Sequence, residues 1–406
     1  MRNKIRTTLI GAATVAVTAA CSHAQPHDEV AAPIRTALPA IAATTLAARG
    51  DIVNQEAVNP PYADPDHVIG VARRAVYRTT SGVDGGPREA SGLFVLPQGN
   101  PPEGGWPVVA VAHGTTGIAT DCGPSSDPNL LGFLPTVRDL AANGYAVAFT
   151  DYQGLGAGDN HPYLEPRSSA FDLTDAVRAI RTIFPGVSNR WIAFGNSQGG
   201  QASWAADELA QVYGEQLDLI GAVALSPAAN LTPLARRAGD HTLTDDQQSM
   251  MATLVAGMER YDPDLKARNL IDDSVRSHEN DVFACHPSVA SRLVPYPDIE
   301  LDSPDAIAAL RGALRRIALP QRPLNAPMLV INGTSDETIP APWVTSAVAS
   351  ACRMGGRIQH VESEGAGHGD LGAKSYELMY RWMHDRVASQ PAPSNCGNPP
   401  EQIGNS

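Results

Sequence analysis

Past its N-terminal segment, the sequence has no apolar run approaching the roughly eighteen residues that a bilayer-crossing helix needs. No C-x-x-C pair occurs, so the cysteines do not read as a zinc site. Positive charge is also short: the formal net charge is −13, with no basic stretch to offset it. That balance argues against a nucleic-acid partner and is sufficiently explained by solubility. No internal repeat is evident. Charged residues make up 18% of the chain and apolar ones 43%, neither a disordered nor a membranous composition. Its 406 residues suffice for one large core or two smaller ones.

The first residues do carry a signal. Arg2, Lys4 and Arg6 precede "LIGAATVAVTAAC", an apolar stretch too short to span a bilayer, which reads as a secretory signal over residues 1–21. Two processing outcomes fit. "TAAC" resembles a bacterial lipobox, which would place a lipid anchor on Cys21 and hold the protein at the cell envelope. Cleavage after "SHA", at Ala24, would instead release a free secreted product. Either route leads to an oxidising compartment, where Cys122, Cys285, Cys352 and Cys396 form an even set with three possible pairings.

Residues 22–60 are rich in Ala and Pro with weak periodicity, the pattern of a linker and N-terminal arm. Short β-rich runs follow ("VIGVARRAVYRTT", "REASGLFVLPQ", "WPVVAVAHG", "GYAVAFTDY"), then helical patterns alternate with strands through "LIGAVALS", "APMLVING" and "RIQHVE". This alternation predicts an α/β fold: a mostly parallel sheet flanked by helices, with an antiparallel edge at its start. The core is expected over residues 61–228 and 323–389. Residues 229–322 contain no convincing strand and read as an inserted helical cap. Within it, Met250, Met251, Leu254, Val255 and Met258 share one helical face, expected to pack inward and also able to repack around apolar ligands. Residues 390–406 form a Pro-rich tail that cannot continue a helix, with Cys396 as its expected tie.

The informative stretch is "RWIAFGNSQGGQASWAADELAQVYG". Trp191 to Phe194 has the apolar character of a buried strand, and helical spacing begins at Gln198. Between them stands Gly195-Asn196-Ser197-Gln198-Gly199, a G-x-S-x-G pattern. A strand reversing directly into a helix crowds the turn, and flanking glycines remove the side chains that would collide. Ser197 is therefore the candidate nucleophile. A serine hydroxyl needs a base, and the base an orienting carboxylate; at this kind of turn the chain order is serine, acid, histidine. "APMLVINGTSDETIP" supplies Asp336 just past a strand, and "RIQHVESEGAGHGDLG" supplies His368 in a glycine-rich loop past the next. All three fall at carboxyl ends of strands, where open α/β sheets build their sites.

Rivals are weaker. Glu337 adjoins Asp336 but is expected to point the other way. Asp151 precedes the serine and suits a bonding role near the site. His360 lies inside a strand, while His241, His278 and His286 fall in the insertion. For the oxyanion, the backbone N–H of Gln198 is the first expected donor, and the second should come from "HGTTG", at Thr115 or Thr116. His113 reads as a loop brace. No metal or organic cofactor is implied.

In this order the motifs "AHGTTG", "CGPS", "TDYQGLG" leading to "HPYL", "GNSQGGQA", "NGTSDETIP" and "GAGHGDL" resemble the secretory lipase family, α/β-hydrolases related to fungal lipase A. The resemblance spans about Val68 to Trp382. It implies a Ser197–Asp336–His368 triad, a helical cap before the acid-bearing strand, and disulfides Cys122–Cys285 and Cys352–Cys396. Fungal members carry an aspartate in the oxyanion loop where this sequence has "HGTTG", which leaves backbone groups as donors. The implied activity is hydrolysis of carboxylic esters, lipid acyl esters first. Soluble or cell-envelope esters, acyl transfer and peptide hydrolysis are the alternatives.

Overall fold

A computed structural model describes residues 28–58, 64–262, 264–266, 270, 283–285 and 303–405. Cys21, Ala24, His278 and His286 lie outside them. The chain opens with α1 (Ala43–Ala47), β1 (Ile52–Ala57), β2 (Ile69–Thr80), β3 (Pro87–Pro97) and β4 (Trp106–Ala112). Next come α2 (Leu134–Ala142), β5 (Ala146–Gln153), α3 (Pro166–Ile183), β6 (Val187–Asn196), α4 (Gln198–Tyr213) and β7 (Asp218–Leu225). Helices α5 (Pro233–Gly239), α6 (Asp245–Glu259) and α7 (Pro304–Ile317) precede β8 (Met328–Gly333). The chain closes with α8 (Ala341–Arg353), β9 (Ile358–Glu364), α9 (Ala373–Val387) and β10 (Glu401–Gly404).

Strand β4 shows why the sheet is covered on both faces. Val108, Ala110 and Ala112 enter one core cluster, and Val109 and Val111 enter the other. An alternating strand with apolar residues on both sides is stable only between two helical layers. The ten strands run in the order β1-β2-β3-β5-β4-β6-β7-β8-β9-β10. Pairing is antiparallel from β1 through β3 to β5, and parallel from there to β10. The expected mostly parallel sheet with an antiparallel start is therefore present. The chain crosses back over β4 between β5 and β6. This reversal of strand order falls at β4 and β6, the place where open α/β sheets build their sites at the carboxyl ends of strands.

Between β7 and β8 the only regular elements among the described residues are helices. Met251, Leu254, Val255 and Met258 of α6 are buried in the larger core cluster, with Met250 packed partly against it. Helix α6 starts with a full capping box: the Thr244 hydroxyl accepts from Gln247 N–H, while the Gln247 side chain accepts from Thr244 N–H.

Two terminal segments differ from their sequence reading. Residues 22–60 were expected to be a linker and arm, yet β1 pairs with β2 as the sheet's edge strand. Its residues after Ile52 are all exposed, so no period-2 hydrophobic alternation marks it. Upstream, Asp28 pairs with Arg236 and Arg237 and accepts from Trp343 Nε1 at 3.1 Å, fastening the arm to the body. The tail also ends in structure: β10 adds to β9 as a parallel edge strand after the Cys352–Cys396 disulfide. Four at least partly exposed residues with one apolar side chain, Ile403, carry no strand signal after a run of prolines.

The Cys352–Cys396 link closes a 44-residue separation, so opening it frees the unfolded chain and releases β10. A Cys396→Ser variant should lose about 2–4 kcal/mol of stability. Denaturant titration checks this, and an unchanged midpoint would show that the tail is held by pairing alone.

Candidate active site

The turn from β6 to α4 is packed tightly. A Cβ built on Gly199 would stand 1.9 Å from the Ala112 carbonyl oxygen, and one on Gly195 would stand 2.2 Å from the Gly199 oxygen. Only glycines let α4 approach β4 and β6 this closely. The residue between them bears the strain: Ser197 sits at φ 57°, ψ −115°. A non-glycine residue held there costs on the order of 1–3 kcal/mol, so the surroundings must over-determine it. They do so through three main-chain bonds. Ser197 N–H donates to Leu225 O at 2.9 Å, while its carbonyl accepts from Gln201 N–H at 3.1 Å and Ala228 N–H at 3.0 Å.

Two loops reach this serine from further along the chain. Asp336, after β8, is buried, and its Oδ1 accepts from Thr338 N–H at 2.9 Å and Ile339 N–H at 2.8 Å. Its Oδ2 meets His368 Nδ1 at 2.8 Å. A carboxylate can only accept, so Nδ1 carries the proton and Nε2 is left with a free lone pair. That lone pair faces the Ser197 hydroxyl, with Nε2 and Oγ 2.9 Å apart. Serine, imidazole and carboxylate thus form one unbroken chain of hydrogen bonds.

The other candidates fall elsewhere. Glu337 is exposed, and its carbonyl accepts from the Thr244 hydroxyl at 2.8 Å. His360 is buried within β9 with Nε2 at 2.7 Å from Asn332 Oδ1, and burial pushes it down to about 4. His241 is exposed in the loop after α5. Asp151 is wholly buried at the end of β5, accepting from Ser91 Oγ at 2.6 Å, Ser125 Oγ at 2.5 Å and Ser125 N–H at 2.8 Å. Burial pushes this carboxyl up to about 6, against those three donors. It ties β3 and β5 to the "CGPS" turn.

The loop after β4 runs over the serine: a Cβ on Gly114 would lie 3.9 Å from that of Ser197. His113 braces it, donating from Nδ1 to Gly114 O at 2.6 Å, and burial lowers it to about 4. Thr115 shares a 2.6 Å bond with the Tyr163 hydroxyl, and Thr116 Oγ1 donates to Cys122 O at 3.0 Å. Among the described residues neither threonine's N–H has a main-chain acceptor. Gln198, first residue of α4, has no intrahelical partner for its own N–H.

Sequence reasoning passed over His161 and Tyr163. His161 is buried, with Nδ1 at 3.0 Å from Gln153 O and Nε2 at 3.0 Å from the side-chain nitrogen of Gln198. Nothing in "HPYL" distinguishes these residues from ordinary loop packing. The cysteines pair as Cys122–Cys285 and Cys352–Cys396. Asp121 lies beside the first pair, whose sulfurs, joined to each other, are not available as thiolate ligands.

The turn should tolerate no added side chain. Gly199→Ala places a methyl against an immobile backbone carbonyl. Chemical denaturation is expected to register a loss of about 1–3 kcal/mol, and a variant as stable as wild type would contradict the packing described.

Residues 134–293 match the family model described as secretory lipase. A probable inactive lipase from Mycobacterium tuberculosis is 24% identical, with 90% of this chain and 86% of the relative covered. Among solved structures, lipase A from Candida antarctica in its closed state superposes with a TM-score of 0.66 at 16% identity, covering 88% of this chain and 86% of that one. The rice cell wall degrading esterase LipA from Xanthomonas oryzae gives 0.65 at 20% identity, covering 85% and 100%. The chain has the α/β-hydrolase fold and, on these matches, resembles the secretory lipase family.

Proposed function

We propose that this protein is a serine hydrolase cleaving carboxylic esters, lipid acyl esters foremost. The observation carrying this reading is the continuous relay Asp336–His368–Ser197, with contacts of 2.8 and 2.9 Å. In the acylation step His368 Nε2 takes the hydroxyl proton as Ser197 Oγ attacks the ester carbonyl. The carbonyl π electrons move onto oxygen, and the N–H groups of Gln198 and of Thr115 or Thr116 receive that charge. Collapse expels the alcohol, which leaves with the proton from His368. Water then repeats the cycle on the acyl-enzyme: His368 deprotonates it, the acid departs, and Ser197 regains its proton. Asp336 keeps the imidazole in the Nδ1–H tautomer and stabilises the imidazolium.

The Mycobacterium tuberculosis relative is named as probably inactive. Here His368 bonds both Ser197 and Asp336, which supports activity for this chain. Export is part of the proposal. The basic and apolar N-terminus supports it, and so do the two disulfides, which persist in oxidising compartments. Among the described residues no helix is long and apolar enough to cross a membrane. Attachment through Cys21 is the proposed route to the cell envelope, and release after Ala24 the alternative.

Ser197→Ala should abolish both p-nitrophenyl ester hydrolysis and labelling by a fluorophosphonate probe; an active variant would remove the nucleophile assignment. Asp336→Asn should fold normally yet lose roughly 10⁴-fold in kcat, because the amide holds the wrong tautomer. A series of esters of rising chain length, assayed below and above their solubility limits, separates lipase from esterase. A rate jump at the interface supports the former, and saturation beforehand the latter.

A further inference from the structure

The expected oxyanion donors lie on different elements, Gln198 on α4 and Thr115 or Thr116 on the loop after β4. One short segment touches both. His161 Nδ1 faces the Gln153 carbonyl, which can only accept, so Nδ1 carries the proton and Nε2 is a bare acceptor. Gln198 Nε2 donates to it at 3.0 Å. Burial holds His161 down at about 3, so the imidazole stays a neutral acceptor across the working range. The Gln198 amide is thereby turned one way only, and its Oε1 is left buried with no hydrogen-bond partner among the described residues. A buried acceptor without a donor is unfavourable, and such local violations concentrate where function sets the geometry. Two residues on, the Tyr163 hydroxyl holds Thr115 at 2.6 Å.

The same segment is seated on the cap. A Cβ on Gly257 of α6 would stand 2.6 Å from Tyr163 Cβ, so helix and tyrosine are in direct backbone-to-side-chain contact. Just past α6, the Tyr261 hydroxyl donates to Tyr163 O at 3.0 Å. Arg260 donates to Ile118 O at 2.5 Å, gripping the loop that carries Thr115 and Thr116.

We propose that His161 and Tyr163 are positioning residues that align the two halves of the oxyanion site, and that the carboxyl end of α6 holds them in register. Cap placement then governs transition-state stabilisation. This rests on the hydrolase reading above and adds to it a coupling between cap and chemistry. Neither side chain touches the reacting atoms; each acts through the backbone of its partner.

The test compares full-length wild type with His161→Asn, His161→Gln, Tyr163→Phe and Tyr261→Phe. Glutamine places an oxygen near the imidazole Nε2 position and can still accept from Gln198, whereas asparagine is too short. His161→Asn should lower kcat about 10- to 100-fold with KM nearly unchanged, less than the full loss of one donor. Affinity for an alkyl trifluoromethyl ketone, which forms a tetrahedral oxyanion on the serine, should fall in step with kcat/KM. His161→Gln should recover most of the rate, even if its melting temperature is as low as that of the asparagine variant. Tyr163→Phe and Tyr261→Phe, single-oxygen deletions that carry the test should His161→Asn fail to fold, should each lower kcat several-fold without raising KM. Equal impairment of the asparagine and glutamine variants, or unchanged ketone affinity alongside a lowered kcat, overturns the positioning role. Wild type inert toward esters and fluorophosphonate overturns both proposals; active wild type matched by His161→Asn overturns this one alone.

Discussion

The close approach of α4 to the end of β4 is the constraint on which the site depends. With no side chain at Gly195 or Gly199, the helix begins while the chain is still within contact of the neighbouring strand. Ser197 is forced into a conformation that its own side chain disfavours, and three main-chain bonds keep it there. The result is a hydroxyl lifted off the sheet edge beside a helix amino terminus, whose unpaired N–H groups and positive end favour developing negative charge. A looser turn would leave the serine in an ordinary helical position, with nothing to hold its hydroxyl toward the His368 imidazole.

The rest of the molecule supplies rigidity to the loops that meet this turn. Parallel strands end together, so β4, β6, β8 and β9 deliver their following loops to one edge. Each loop is then held by buried polar contacts: Asp336 by two backbone donors, the "CGPS" turn by Asp151, the His113 loop by its own imidazole. The acids and imidazoles in these braces are buried, and burial pushes Asp151 up and His113, His161 and His360 down. The lowered imidazoles stay neutral inside the fold and so avoid the cost of burying a charge, while burial of the Asp151 carboxyl is offset by its three donors.

The buried sheet carries peripheral segments at both ends of the chain that contribute little core. Here Cys122–Cys285 joins the loop after β4 to the segment between β7 and β8, and Cys352–Cys396 joins the tail to α8. Asp28, with Arg236, Arg237 and Trp343, does the equivalent for the N-terminal arm by charge and hydrogen bonding. These ties act where hydrophobic periodicity is weakest, which is also where the sequence says least about structure.

Read alone, the sequence determined the parts whose physics is local. A buried strand shows as an apolar run, a helix as a 3.6-residue repeat, and a strained serine turn as glycines at fixed offsets, so the α/β class, Ser197, and the order of Asp336 and His368 were legible. The exposed edge strand β1 and the four-residue β10 were not, because a strand wet on most of its surface needs no hydrophobic pattern. Cysteine spacing left three pairings open, and the pair set implied by the family resemblance is the one present. Which way the Gln198 amide turns, and that His161 and Tyr163 reach Gln198 and Thr115, were decided only by tertiary structure. Those contacts join residues remote in the chain, and no local propensity encodes a distance between elements that only the packed sheet sets.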